Sequence, residues 1–269
     1  GAGAMGSQIA MVCALAGYDT DVVDIKQEAV DKASEQLHSR MDRDVSKGRR
    51  GIALPHTSLG YGNGVARLAV TETEQRPTVL GLIAAGRMTP DTGTVRIDGF
   101  SDRGALRRRV ALVDAPDVSD PAPNVTVWGI VAEELMFAGH PASPRAVKQW
   151  LVAHDAAALS RLPIADVAPA ARLRLLMELA VLRPGVEGLV VVSPDRHGGH
   201  PQRWWQIAVG FADRGISVLV IAGAAGLAGI EDRQPPPASP AAAAAFFSRL
   251  RIHMLIASTN TEKAMAVYT

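Results

Sequence analysis

Four short runs of branched apolar residues constrain this chain most: Val95 to Asp98 (VRID), Val110 to Val113 (VALV), Leu189 to Val192 (LVVV) and Val218 to Ile221 (VLVI). Each is bounded by turn or helix signals, as strands buried on both faces must be. Such strands belong in a sheet covered by helices, so the fold class is α/β. A helix from Thr78 to Ala85 is expected to pack on that sheet. It places the loop Thr71 to Pro77 at the strands' carboxyl edge, where open α/β sheets bind ligands.

The bulk properties exclude several classes. A chain of 269 residues can bury one large core or two modest ones. A net charge of +1, with charges spread along the chain, gives no basic field for nucleic acid. One cysteine, Cys13, makes neither an internal disulfide nor a metal knuckle, so a reducing, cytoplasmic setting is expected. The longest uncharged apolar stretch, GISVLVIAGAAGLAGI, is broken by glycine and shorter than the roughly 20 residues of a bilayer span.

From Gly51 onward the order of signals is a strand VARLAV, a loop TETEQRP, an apolar helix TVLGLIAAG and the string RMTPDTGTVRIDG. Downstream follow LRRRVALVDAP, NVTVWGIVAEELMFAG, ARLRLLMELAVLRPGVEGLVVVSPD and GFADRGISVLVIAG. Taken together these resemble, in the correct order, the nucleotide-binding domain of ABC transporters. The resemblance implies a P-loop NTPase-like fold, a dimer with a like or unlike partner, and a place beside a membrane transport protein at the inner face of the cell membrane.

The chemistry of that family is absent from the matching positions. Its phosphate loop is GxxxxGK[ST], in which backbone amides ring the phosphates, the Lys neutralises them and the hydroxyl takes magnesium. Here the stretch reads Thr71, Glu72, Thr73, Glu74, Gln75, Arg76, Pro77, Thr78, and Thr78 alone fits. Pro77 removes a cation and an amide, and Glu72 and Glu74 add negative charge that Arg76 offsets in part. Arg76 and Thr78 are the remnants of a phosphate site. Ser193 and Pro194 replace the carboxylates that organise magnesium and activate water, and His200 replaces the Asp that follows. The signature has become VAPAAR at Val167 to Arg172, Asp114 and Ala115 stand where a glutamine is expected, and Ala222 and Gly223 replace the switch Thr-His. The expected protein hydrolyses no ATP and has no catalytic residue.

The first segment has a different character. GxGxxG falls at Gly1, Gly3 and Gly6; Ile9, Val12, Leu15 and Ala16 follow at helical spacing, and TDVVDI reads as a strand ending at Asp24. Asp24 lies 24 − 6 = 18 positions after Gly6, near the ~20 expected of a ribose-binding carboxylate. A charged amphipathic helix to Gly48 comes next. The segment resembles the NAD-binding end of the 3-hydroxyacyl-CoA dehydrogenases, which implies Gly1, Gly3, Ala4, Met5, Gly6 and Asp24 as NAD contacts. It is read as a truncated Rossmann βαβ piece: no strand precedes the glycines, and no His-containing catalytic motif of that family follows.

His197 and His200 flank a diglycine near Asp195, but without a third ligand the pair reads as solvated, and no metal is expected. Trp204 and Trp205 read as a helix face packed on the sheet or a subunit contact. After the proline and alanine linker DRQPPPASPAAAAA, Phe246, Phe247, Leu250 and Met254 fall on one helical face, or belong to a flexible, sticky tail. The expected organisation is therefore a Rossmann-like segment at 1–48, an ABC ATPase-like domain at 51–232 and a linker with a flexible tail at 233–269. A non-hydrolysing transporter subunit is the leading functional reading. The others are a fragment of an NAD-dependent 3-hydroxyacyl-CoA dehydrogenase and a fused reading frame without joint function, the last prompted by the change of character between Gly48 and Gly51.

Overall fold

The computed structural model describes residues 52–54, 56–72, 77–227, 230 and 250–260. In chain order these form β1 (Ile52–Leu54), β2 (Thr57–Gly62), β3 (Ala66–Val70), α1 (Pro77–Ala84), β4 (Thr92–Ile97), α2 (Arg103–Arg109) and β5 (Val110–Val113). There follow α3 (Val127–Phe137), α4 (Pro144–Ala153), α5 (Pro169–Ala180), β6 (Gly188–Val192), α6 (Pro201–Asp213), β7 (Ser217–Ala222) and β8 (Arg251–Asn260).

Three of the four apolar runs form neighbouring strands of one parallel sheet. Its order is β3-β7-β6-β5, with Leu68 opposite Val220, Val190 opposite Leu219 and Leu112 opposite Val190. Every residue of β5, β6 and β7 is buried, as the unbroken apolar runs require. The pleat divides them between two cores. Val190, Val192, Leu219 and Ile221 share one with α1, while Leu189, Val191, Val218 and Val220 pack with α5 and α6. Trp204 and Trp205 are buried in the second core, the helix face read from the sequence.

The fourth run behaves differently. Val95 to Asp98 was expected among the central buried strands, yet β4 lies in a separate antiparallel sheet, paired to β8. Arg96 within the run supplies the reason: Thr94 and Arg96 are exposed while Ile97 is buried, an alternation that suits a strand with one wet face.

The tail requires a second correction. The structure has no helical face through Leu250 and Met254; residues 251–260 form β8, which pairs with β2 on one side and β4 on the other and reaches β1. The i, i+4 spacing of Leu250 and Met254 conceals a period of two. Ile252, Met254 and Ile256 are buried while Arg251, His253 and Leu255 are exposed. Phe246 and Phe247 lie outside the described residues.

Helix α1 joins the two sheets. Its Val79, Leu80, Leu82 and Ile83 share one core with Leu54, Tyr61, Ile97, Ile252 and Met254 from the antiparallel sheet and with β6 and β7 from the parallel one. Gly81 permits the close approach, because a Cβ there would sit 2.6 Å from Val192 Cγ2 and 3.2 Å from Leu112 Cδ1. A third core is helical, in which Val127, Ile130 and Val131 of α3 meet Val147 and Leu151 of α4 and Leu175 and Leu179 of α5. Side-chain caps fix the starts of α3 and α4: Thr126 accepts from the Gly129 amide, and Ser143, followed by Pro144, accepts from that of Ala146.

Candidate functional site

The carboxyl ends of the parallel strands bring together Thr71 and Glu72 after β3, Asp114 after β5, Ser193 to His197 after β6, and Gly223 and Ala224 after β7. Asp114 and Ser193 each take a left-handed backbone, with φ of 55° and 47°, where the chain leaves β5 and β6. Asp114 is buried, and its carboxylate is the centre of the edge.

Three donors surround it. Arg172, near the start of α5, gives its Nη2 to Asp114 Oδ1 at 2.7 Å and its Nε to Oδ2 at 3.3 Å. Arg196 donates Nη1 to the Asp114 backbone carbonyl at 2.6 Å and Nη2 to Oδ1 at 3.2 Å, and also reaches Asp120 Oδ2 at 3.3 Å. His197 Nε2 lies 2.8 Å from Oδ2, and since a carboxylate only accepts, this nitrogen carries the proton. Burial alone would raise the Asp114 carboxyl, but the hydrogen bonds from His197 and Arg172 and the charges of Arg196 and Arg172 hold it below the usual carboxylate value. His197 is thus half-buried and bonded, not solvated as the sequence implied. The loop before α6 folds back onto β5, and only that return brings it to Asp114.

At the other end of the edge, protein carboxylates occupy backbone amides. Gly223 N donates to Asp195 Oδ2 at 3.1 Å, and Ala224 N to Glu72 Oε1 at 3.0 Å. These amides open the single turn Ala224–Leu227, where an external anion would otherwise be drawn. Asp195 Oδ1 and the Thr71 hydroxyl are buried without a partner among the described residues.

Of the residues singled out in the sequence, Thr78 is described: it is 3% exposed, second in α1 after Pro77. Gly1, Gly3, Ala4, Met5, Gly6, Asp24 and Arg76 lie outside the described residues. The Asp114 cluster was not anticipated. The available signal was an acid directly after the wholly apolar VALV, a placement that demands partners. Among the described residues no group of three or more His, Cys, Asp or Glu side chains is arranged to hold a metal, and no helix is long and apolar enough to cross a membrane.

Residues 1–72 match the family model of the 3-hydroxyacyl-CoA dehydrogenase NAD-binding domain. The match runs past Gly48 through β1, β2 and β3 and so overlaps the start of the described body. No curated protein matches the chain. Among solved structures it is similar to a nucleotide-free ATP-binding cassette from an ABC transporter, at 15% identity over 67% of this chain and 78% of that one, with a TM-score of 0.49. A dimeric bacterial ABC transporter cassette gives 16% identity, 65% and 82% coverage and a TM-score of 0.49. The chain is similar to that NAD-binding domain over residues 1–72 and to these ABC cassettes in its fold.

Proposed function

We propose that the protein is a non-hydrolysing relative of the ABC ATP-binding subunits, paired with a like or unlike copy and docked on a membrane transport protein from the cytoplasmic side. Its body runs over 51–232 together with the strand at 251–260, after a separate segment at 1–48. Support for the family comes from the order of the sequence signals and from the strand order β3-β7-β6-β5.

One observation carries the loss of hydrolysis. Ser193 and Pro194 follow β6 where magnesium and water need carboxylates, and the next carboxylate, Asp195, is turned to the Gly223 amide. Pro77 at the start of α1 adds no cation. Phosphate release from ATP and magnesium should equal that of buffer. Magnesium-dependent release that vanishes in Thr78→Ala or Asp195→Asn would refute the reading.

The match over residues 1–72 favours a second reading, an NAD-dependent 3-hydroxyacyl-CoA dehydrogenase fragment. In that reading Gly1, Gly3, Ala4, Met5, Gly6 and Asp24 hold the dinucleotide. Calorimetric titration with NAD decides between them. Micromolar binding abolished by Asp24→Ala supports the dehydrogenase, and no saturable heat supports the transporter subunit.

A further inference from the structure

We propose that the cavity lined by Arg87 and Arg183 binds a small oxyanion, held by these two guanidinium groups. The cavity has a volume of about 310 Å³. Arg87 follows α1, Arg183 follows α5, Val118 and Ser119 follow β5, and Glu134 of α3 completes the polar wall. Its size is at the small end of the about 300–1,000 Å³ usual for ligand cavities.

The charges around this space do not balance. Arg87 is half-buried and gives its Nη1 to two neutral acceptors, the carbonyls of Ala85 at 3.1 Å and Val110 at 3.2 Å. Among the described residues no carboxylate pairs with it. Burial, followed by the like charges of Arg183 and of Arg107 on α2, pushes its guanidinium below the ordinary arginine value. Glu134 is committed elsewhere, because both of its oxygens accept from Arg183 Nη2, at 2.9 and 2.7 Å. The other acid in the wall, Asp114, is matched by Arg172 and Arg196. Arg183 itself keeps a buried Nε with no acceptor among the described residues. Two neighbouring cations drawn partly out of water with one carboxylate between them are costly, and an oxyanion supplies the missing charge and acceptors together. The planar guanidinium fork suits its oxygens.

This inference needs neither a nucleotide nor a membrane protein, so ATP hydrolysis or NAD binding would defeat the preceding reading and leave this one standing. The test titrates the full chain with sodium sulfate and, separately, with sodium acetate, each exchanged against chloride at constant ionic strength and read by calorimetry. The expected result is saturable binding of one or both, weakened about tenfold or more in Arg183→Gln. Val118→Glu, which puts a negative charge at an exposed position of the cavity wall, should weaken it as well. Glu134→Gln, which releases Arg183, should tighten it instead, a gain that a misfolded chain would not show. Tighter sulfate assigns a tetrahedral dianion, and tighter acetate a carboxylate. Absence of saturable binding of either probe, or affinity unchanged in all three variants, overturns the proposal.

Discussion

Arg172 grips Asp114 through two guanidinium nitrogens across 58 positions of sequence, and both side chains are more than nine-tenths buried. The pair fastens the start of α5 to the end of β5. Replacing such a pair with apolar groups is often neutral, whereas removing one partner leaves a buried charge alone. Asp114→Ala is therefore expected to lower unfolding free energy by about 3–5 kcal/mol. The double variant Asp114→Leu/Arg172→Met should lose much less. Urea unfolding of both measures the difference, and equal losses would show that charge pairing is not what matters there.

Acid stability should depend on the same carboxylate. Its value in the folded protein lies below the ordinary 3.8, so the cluster's contribution is present above 3.8 and is lost as pH falls through the lowered folded value. The thermal midpoint should drop in that acid range, and the drop should be smaller in Asp114→Asn. Parallel pH profiles for parent and variant would assign the acid sensitivity to other groups.

Strand β8 predicts an unusual response to shortening. A chain ending at residue 249 loses the strand shared by β1, β2 and β4, together with the buried Ile252, Met254 and Ile256. It should lose cooperative unfolding and aggregate through the bared strand edges. A soluble product with an intact sharp transition would show that α1 and the parallel sheet stand without it.

Gly81 offers a test of packing. Alanine normally favours a helix over glycine by about 0.5–1 kcal/mol. Here the added methyl meets Val192 Cγ2 at 2.6 Å, and overpacking costs about 1–3 kcal/mol. Gly81→Ala should therefore destabilise, and Val192→Ala in the same chain should recover part of the loss. A double-mutant cycle in urea with no coupling would contradict the close approach.

Legibility in the sequence followed the range of the forces involved. VALV, GLVVV and SVLVIA declare buried strands because each run is apolar on both faces, a purely local property. VRID reads as a buried strand from its branched residues, whereas the one charge within it, Arg96, marks a wet face. β8 was hidden because Leu250 and Met254 satisfy a helical period by coincidence, and what makes Met254 part of a strand is its two partners distant in the chain, Leu59 and Val95. The Asp114 cluster was hidden for the same reason. Arg172 and His197 lie 58 and 83 positions away, and no spacing rule connects them.

The pairing of β2 with β8 also has a temporal side. Thr57 faces Ile256, so 256 − 57 = 199 residues separate the partners. A ribosome adding about 5–20 residues per second needs roughly 10–40 s to cover that distance. During that interval β1 and β2, joined by β4 after 97 − 57 = 40 of those residues, are already made and have no central strand to receive them. The antiparallel sheet is thus born as separate edges awaiting one late arrival, and nascent chains of this protein are natural clients for whatever shields exposed strands during translation.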